Sequence, residues 1–292
     1  ITVAREKPFE VKNDFFSQLI EEEERSFTPP IAGQAGDRKE NSRLIEHEVI
    51  KAELNGYYVK NPAGKTAKSV KSYVYLSAGV KKAMESAEKE IAKIFIHTPL
   101  KFATSSLVAF KVLSDIIKKE EGFLIIDIGG ETTEINLIRN SALEQSASFS
   151  KGSNLLFRKI AAALNTFLQE APSIVKAYAR GHRTLESSDK IAVAIKDSIA
   201  EWGDYLKSSL AGMAKERLLP QNIFIIGDAL AGRFFSSCLE RNDFSEFTIL
   251  RKPFAASKIK PEWLLRYFKA GDYQAENMDI MLMIEAVYAN RF

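Results

Sequence analysis

The stretch Phe123-Leu-Ile-Ile-Asp-Ile-Gly-Gly-Glu-Thr-Thr-Glu-Ile135 constrains this chain more than any other. Phe123 to Ile126 are continuously apolar and predict a buried strand; Asp127 stands at its end, and Gly129-Gly130 supply a tight turn. Glu134 to Ile138 then alternate polar with apolar, as a second strand does. Glycines in a turn let the backbone approach a ligand closely and leave N–H groups free to converge on phosphate oxygens. A carboxylate at a strand end can hold magnesium, usually through water, and the hydroxyls of Thr132 and Thr133 add hydrogen bonds. The alternative is a plain β-hairpin with a Gly-Gly turn and nothing bound. The Thr-Thr pair and the long apolar approach weigh against it.

The motif D-I-G-G-E-T-T-E-I, residues 127–135, resembles the second phosphate-binding hairpin of the actin-like ATPases, most of all the FtsA family of bacterial division and the PilM family of pilus assembly. The resemblance implies an α/β chain of actin-like (ribonuclease-H-type) fold that binds ATP and magnesium. It assigns Asp127, Gly129, Gly130, Thr132 and Thr133 to phosphate and magnesium, with Asp127 reaching the metal through water. Val49 to Tyr57, followed by Asn61-Pro62-Ala63-Gly64-Lys65, resembles the small insert domain of the same proteins, which actin and the sugar kinases lack at this place. The implied organisation is an insert-type domain over 1–100 and a second lobe, carrying the hairpin, over 101–292. The family's first phosphate hairpin, another Asp-x-Gly turn, has no counterpart, and a chain opening at Ile1 without methionine reads as a fragment or a processed chain. ATP–Mg binding by these residues alone is therefore expected to be weak or absent.

Further positions carry the resemblance less fully. Gly152, within Lys151-Gly-Ser-Asn154, stands where FtsA and PilM place a Gly-Gly pair before a helix. Lys176 matches the lysine of a nucleoside-contacting segment whose glutamate is Ser173 here. Gly227 matches the first glycine of the adenosine motif, but Asp228 replaces the second. Aspartate accepts a left-handed turn less readily than glycine, and its charge repels phosphate. Two functions of different class stay open: a nucleotide-dependent adaptor, with weak ATPase at best, that organises a division or pilus complex, and a scaffold of the same fold that binds no nucleotide. A sugar kinase is disfavoured by the insert domain and by the lack of a catalytic-base loop. In such proteins the insert domain serves self-association or assembly, so residues 1–100 are the expected protein-contact region. Tyr57-Tyr58 and Tyr73-Tyr75 would present an outward aromatic row if they lay on paired strands.

Composition removes other classes. The 292 residues suffice for two domains, and 46% apolar with 27% charged residues is ordinary for a globular protein. A net charge of +3 indicates no polyanion-binding surface, hence no nucleic acid. One cysteine permits no internal disulfide, and His47, His97 and His182 show no metal spacing. No apolar run approaches the roughly 20 residues of a membrane span and no signal peptide opens the chain, which reads as cytoplasmic, with any membrane contact indirect and peripheral at the inner face. Pro62-Ala-Gly-Lys-Thr66 is no P-loop, because it lacks the first glycine and lies between strands.

The periodicities predict a helix after a cap at Asn13 or Asp14, a loop over 28–42, and strands on both sides of Asn55-Gly56 and over 69–77. A helix over 80–93, a short strand over 94–96 and a helix over 102–120 follow. Beyond the hairpin come a strand over 142–150, helices over 155–168 and 171–178, and a long helix over about 190–217 capped by Ser188-Asp189. Its stripe Ile191, Ile195, Ile199, Trp202, Leu206, Leu210 and Met213 marks a core face. Strands over 222–227 and 247–250 and a helix over 278–288 close the chain.

Overall fold

A four-stranded antiparallel sheet with two helices builds the first part of the chain. In the computed structural model, which describes residues 1–29, 40–96, 98–117, 121–181, 185–227, 230–268 and 279–292, the chain divides into two units, Ile1–Leu107 and Val108–Phe292. The first holds β1 (Thr2–Glu10), α1 (Phe15–Ser26), β2 (Ser42–Leu54), β3 (Tyr57–Tyr58), β4 (Thr66–Val80) and α2 (Lys81–Ala92). Its antiparallel sheet runs β1-β4-β2-β3. Asn55 and Gly56, at φ 52° and 85°, turn β2 into β3 as Asn-Gly pairs do. The Asn55 Oδ1 accepts the N–H groups of Lys68 and Ser69 at 2.8 and 3.1 Å, tying the turn to β4. Val11, Leu54, Ala67 and Val70 form the buried core, with Phe9, Phe15, Phe16 and Val59 packed against it. A buried carboxylate, Glu46, accepts the Ser77 hydroxyl and, at 2.6 Å, the N–H of Thr104, so it fixes the segment that leads out of the unit.

The second unit continues from α3 (Ser105–Ile116) into β5 (Phe123–Ile128), β6 (Thr133–Arg139), β7 (Ala142–Phe149) and α4 (Ser153–Leu164). Then follow α5 (Ala171–Ala179), α6 (Leu185–Met213), β8 (Asn222–Gly227), α7 (Ala231–Arg241), β9 (Ala255–Lys258), α8 (Pro261–Leu265) and α9 (Ile280–Arg291). The sheet order is β7-β6-β5-β8-β9, antiparallel through β7, β6 and β5 and parallel through β5, β8 and β9. Central β5 is buried on both faces, which is why it reads as an unbroken apolar run. Leu124, Ile126 and Ile128 join Ile135, Leu137, Ile223 and Ile225 in the core that also takes Leu156 and Ile160 of α4 and the α6 stripe. On the stripe Trp202, Leu206 and Leu210 are wholly buried, while Ile199 is partly so. The other face carries Phe123, whose ring meets Phe224 edge-on at 5.5 Å, and Phe224 in turn meets Trp263 of α8.

Several expectations are corrected. Residues 94–96 form a turn: the N–H groups of Ile94 and Phe95 both return to the Ile91 carbonyl, at 3.0 and 2.9 Å, so the apolar triplet finishes α2 instead of starting a strand. Residues 247–250 give the end of a 3-10 turn and a single bridge, Leu219 to Thr248. The Thr248 hydroxyl both accepts the N–H of Lys252 and donates to its carbonyl, curling the backbone, and the edge strand is β9 instead. Ser188 and Asp189 lie inside α6, which starts at Leu185 and stops at Met213. Asp14 holds the cap position of α1, but its carboxylate accepts from Gln18 Nε2 at 2.8 Å, not from the backbone. Tyr57-Tyr58 and Tyr73-Tyr75 are not on paired strands: β3 pairs with β2, and β4 lies on β2's other side. The opening segment is a full strand paired with β4, and α8 had no counterpart in the sequence reading. Most of the expected 28–42 loop, with His97, His182 and Asp228, lies outside the described residues.

Candidate functional site

Residues 129–132 join β5 to β6, and the turn is closed by the Gly129 N–H donating to the Thr132 carbonyl at 2.9 Å. The turn's carbonyls then serve a helix. Gly129 O accepts the Ser153 N–H and Gly130 O the Asn154 N–H, both at 2.8 Å. These are first-turn donors of α4 that have no partner within the helix. The approach is so close that a Cβ on Gly152 would lie 2.3 Å from Gly129 O and 2.6 Å from Gly130 O. Gly152 is therefore a packing requirement of the turn. The N–H groups of Gly130, Glu131 and Thr132 find no backbone acceptor among the described residues, and all three residues are exposed. Successive unpaired amides of this kind suit an anion.

The period of two in the strands separates the two residues assigned to one cluster. Asp127 lies opposite Glu134, and Thr133 opposite Ile128, on the other face of the sheet. Thr133 is wholly buried: its hydroxyl donates to the Lys151 carbonyl at 2.7 Å and accepts from Trp202 Nε1 at 3.0 Å. Its hydroxyl thus braces the hairpin against α6 and the strand-to-helix link. Burial pushes the Asp127 carboxyl up to about 6, helped by the charges of Glu134 across the ladder and of Asp279 and Glu285 on α9. Among the described residues, no group of three His, Cys, Asp or Glu side chains could hold a metal ion. Magnesium here would rest on Asp127 through water and on the ligand's own phosphates.

At the tip, Glu131 accepts from Asn154 Nδ2 at 2.9 Å and pairs with Arg158, which holds its carboxyl below the ordinary range. Lys151 and Lys159 both pair with Glu201, at 2.7 and 2.8 Å. Gly227 is brought beside the hairpin: it pairs with Ile128, has φ 156°, and a Cβ would meet Ile128 O at 3.1 Å. Lys176 is exposed in the last turn of α5, whose buried residues are Ala171 and Val175, and no hydrogen bond or ion pair among the described residues ties it to the hairpin. The turn, Gly152 and Gly227 thus come together, Thr133 lies beside them on the opposite face from Asp127 with its hydroxyl engaged, and no described contact ties Lys176 to them. Asn154 and Arg158 were legible as a four-residue spacing on one helix face after Gly152. Asp279 and Glu285 carried no signal, because only the fold brings α9 near Asp127. A cavity of about 560 Å³ lined by Ile116, Phe224, Trp263 and Arg266 lies by the start of β8, away from the turn.

No family model matches the chain. Cell division protein FtsA of Neisseria meningitidis serogroup B is 24% identical over 172 residues, 59% of this chain and 39% of that relative. The chain thus spans well under half the length of the curated relative it matches. A solved PilM-PilN type IV pilus biogenesis complex superposes on 99% of this chain and 76% of its own, with a TM-score of 0.63 at 16% identity. Fold and sequence likeness agree with the hairpin motif: the chain is similar to FtsA in sequence and to PilM in structure, and it has the actin-like fold.

Proposed function

We propose that this chain belongs to an actin-like adaptor whose β5–β6 hairpin takes the phosphates of ATP, with magnesium, and which organises a cell-division complex at the cytoplasmic face of the membrane. ATP hydrolysis, if any, is slow. The observation that carries the reading is the turn itself: three amides without a backbone acceptor, held rigid by α4 through the close approach at Gly152. Asp127, Gly129, Gly130 and Thr132 form the phosphate and magnesium side of this site, and Gly227 borders it. Residues 1–100 act as the insert domain through which the protein self-associates or meets its partners, and 101–292 as the nucleotide lobe. No described helix is long and apolar enough to cross a membrane, and the proposed membrane contact is indirect.

A second reading, a scaffold of the same fold that binds no nucleotide, is favoured by the carboxylates gathered around Asp127. A site that crowds four acids repels polyphosphate unless a cation intervenes. A pilus-assembly scaffold is the third form of the adaptor, and the PilM likeness supports it as the FtsA likeness supports the first. These residues alone are expected to bind weakly or not at all, so calorimetric titration of the full-length protein with ATP in the presence and absence of magnesium separates binding from scaffold. The adaptor reading expects magnesium-dependent binding, lost in Asp127→Ala. Binding indifferent to both magnesium and Asp127→Ala removes the hairpin from the site, and no binding at all leaves the scaffold. Co-purification with division or pilus components decides between the first and third readings.

A further inference from the structure

We infer that Arg158 and Asn154 are anion-binding residues of the hairpin site, and that Glu131 occupies them as an internal competitor which an incoming phosphate must displace. The inference rests on the nucleotide reading above and names the regulation of that same site. Glu131 lies in the turn between Gly130 and Thr132, the two other residues whose amides lack a backbone acceptor. Its Oε1 receives both Asn154 Nδ2 and the Arg158 guanidinium. A carboxylate and a phosphate present similar oxygen pairs to a guanidinium fork, so the partners that hold Glu131 fit a phosphate group equally well. Asn154 and Arg158 are four apart in α4, on the helix face beside the turn. The other lysines near this helix start are engaged elsewhere, since Lys151 and Lys159 share Glu201. Arg158 is thus the basic side chain that meets the tip of the turn among the described residues. The pair is half exposed, at 53% and 59% for the two side chains, so exchanging its carboxylate for a ligand oxygen costs little.

Titration of the full-length protein with inorganic pyrophosphate and with ATP–Mg tests this, with circular dichroism confirming that each surface variant is folded. Glu131→Gln should tighten both ligands about two- to fivefold, the strength of an exposed pair. Arg158→Ala should weaken both about tenfold or more, and Arg158→Lys should restore part of the loss, with a steeper salt dependence than Arg158→Ala. Binding by Glu131→Gln where the unaltered chain shows none also supports the inference. A Glu131→Gln affinity equal to or weaker than that of the unaltered chain, or an Arg158→Ala affinity equal to it, overturns it. If the unaltered chain binds, loses binding in Asp127→Ala and ignores both tip substitutions, this inference falls and the nucleotide reading stands. If no variant binds either ligand, both fall.

Discussion

Asp127 and Gly152 show how single side chains set the properties of the hairpin. The folded chain holds the Asp127 proton more tightly than the unfolded chain, because the carboxyl is pushed from 3.8 up to about 6 by burial first and by Glu134, Asp279 and Glu285 next. Stability that is fully present below pH 4 is therefore lost as the pH rises through about 6, by up to about 3 kcal/mol. Asp127→Asn should remove this dependence and leave the variant more stable than the unaltered chain at pH 7. Denaturant titrations at pH 4, 5, 6 and 7 that run parallel for the two proteins would refute the assignment. Gly152 makes the opposite point, because its lack of a side chain is what the site uses. Gly152→Ala drives a Cβ into two turn carbonyls, at 2.3 and 2.6 Å, and should cost about 1–3 kcal/mol as an overpacked contact does. Gly212→Ala in α6, where nothing lies within 4 Å of the added Cβ, should instead gain about 0.4–1 kcal/mol. Equal effects at the two glycines would mean that the turn yields to α4 freely.

The elements divide by how locally their shape is determined. Strand β5 was legible because four consecutive apolar residues before Asp-x-Gly-Gly satisfy both the burial of a central strand and the turn that ends it. Ile125 and Ile126 point to opposite faces and both are wholly buried, so either Ile→Ala substitution should cost about 2–5 kcal/mol in chemical denaturation. A loss near zero at one of them would place that face of β5 outside the core. The α6 stripe was legible for a similar reason, since a period near 3.6 over many turns admits one reading. Short apolar runs were not. Ile94-Phe95-Ile96 and Phe247-Thr-Ile-Leu250 have the composition of strands, yet the first completes a helix end and the second is curled by one threonine hydroxyl. Within the site, Gly152 was visible as a residue, but the reason for it was not: the sequence does not show that a helix start would press onto the hairpin carbonyls. Two adjacent threonines look equivalent in sequence, whereas strand pleating buries Thr133 with its hydroxyl engaged and leaves Thr132 exposed in the turn.

At the scale of the whole molecule the two units have different tasks under the proposed function, and the first is where a protein contact is expected. Its sheet ends in β3, a two-residue edge strand, and Tyr57 and Tyr58 there are 77% and 63% exposed. Tyr73, by contrast, is half-buried under the ammonium groups of Lys51 and Lys71, at 5.2 and 4.9 Å from its ring. Of these tyrosines the strongly exposed ones are thus the β3 pair. Tyr58 also borders a groove of about 360 Å³ with Phe16, Ile20 and Val49. Aromatics on an exposed edge contribute strongly to association, since a Tyr buries a large area with few rotamers to lose. Tyr57→Ala with Tyr58→Ala should leave thermal stability within about 1 kcal/mol, because neither ring is in the core. The same double variant should reduce self-association, or recovery of division or pilus components in co-purification, at least tenfold. Sedimentation of the unaltered chain and the double variant at matched concentrations, alongside the co-purification, provides the comparison. Undiminished assembly and partner recovery in a folded double variant would move the contact surface to the second unit and count against an insert-domain role for the first.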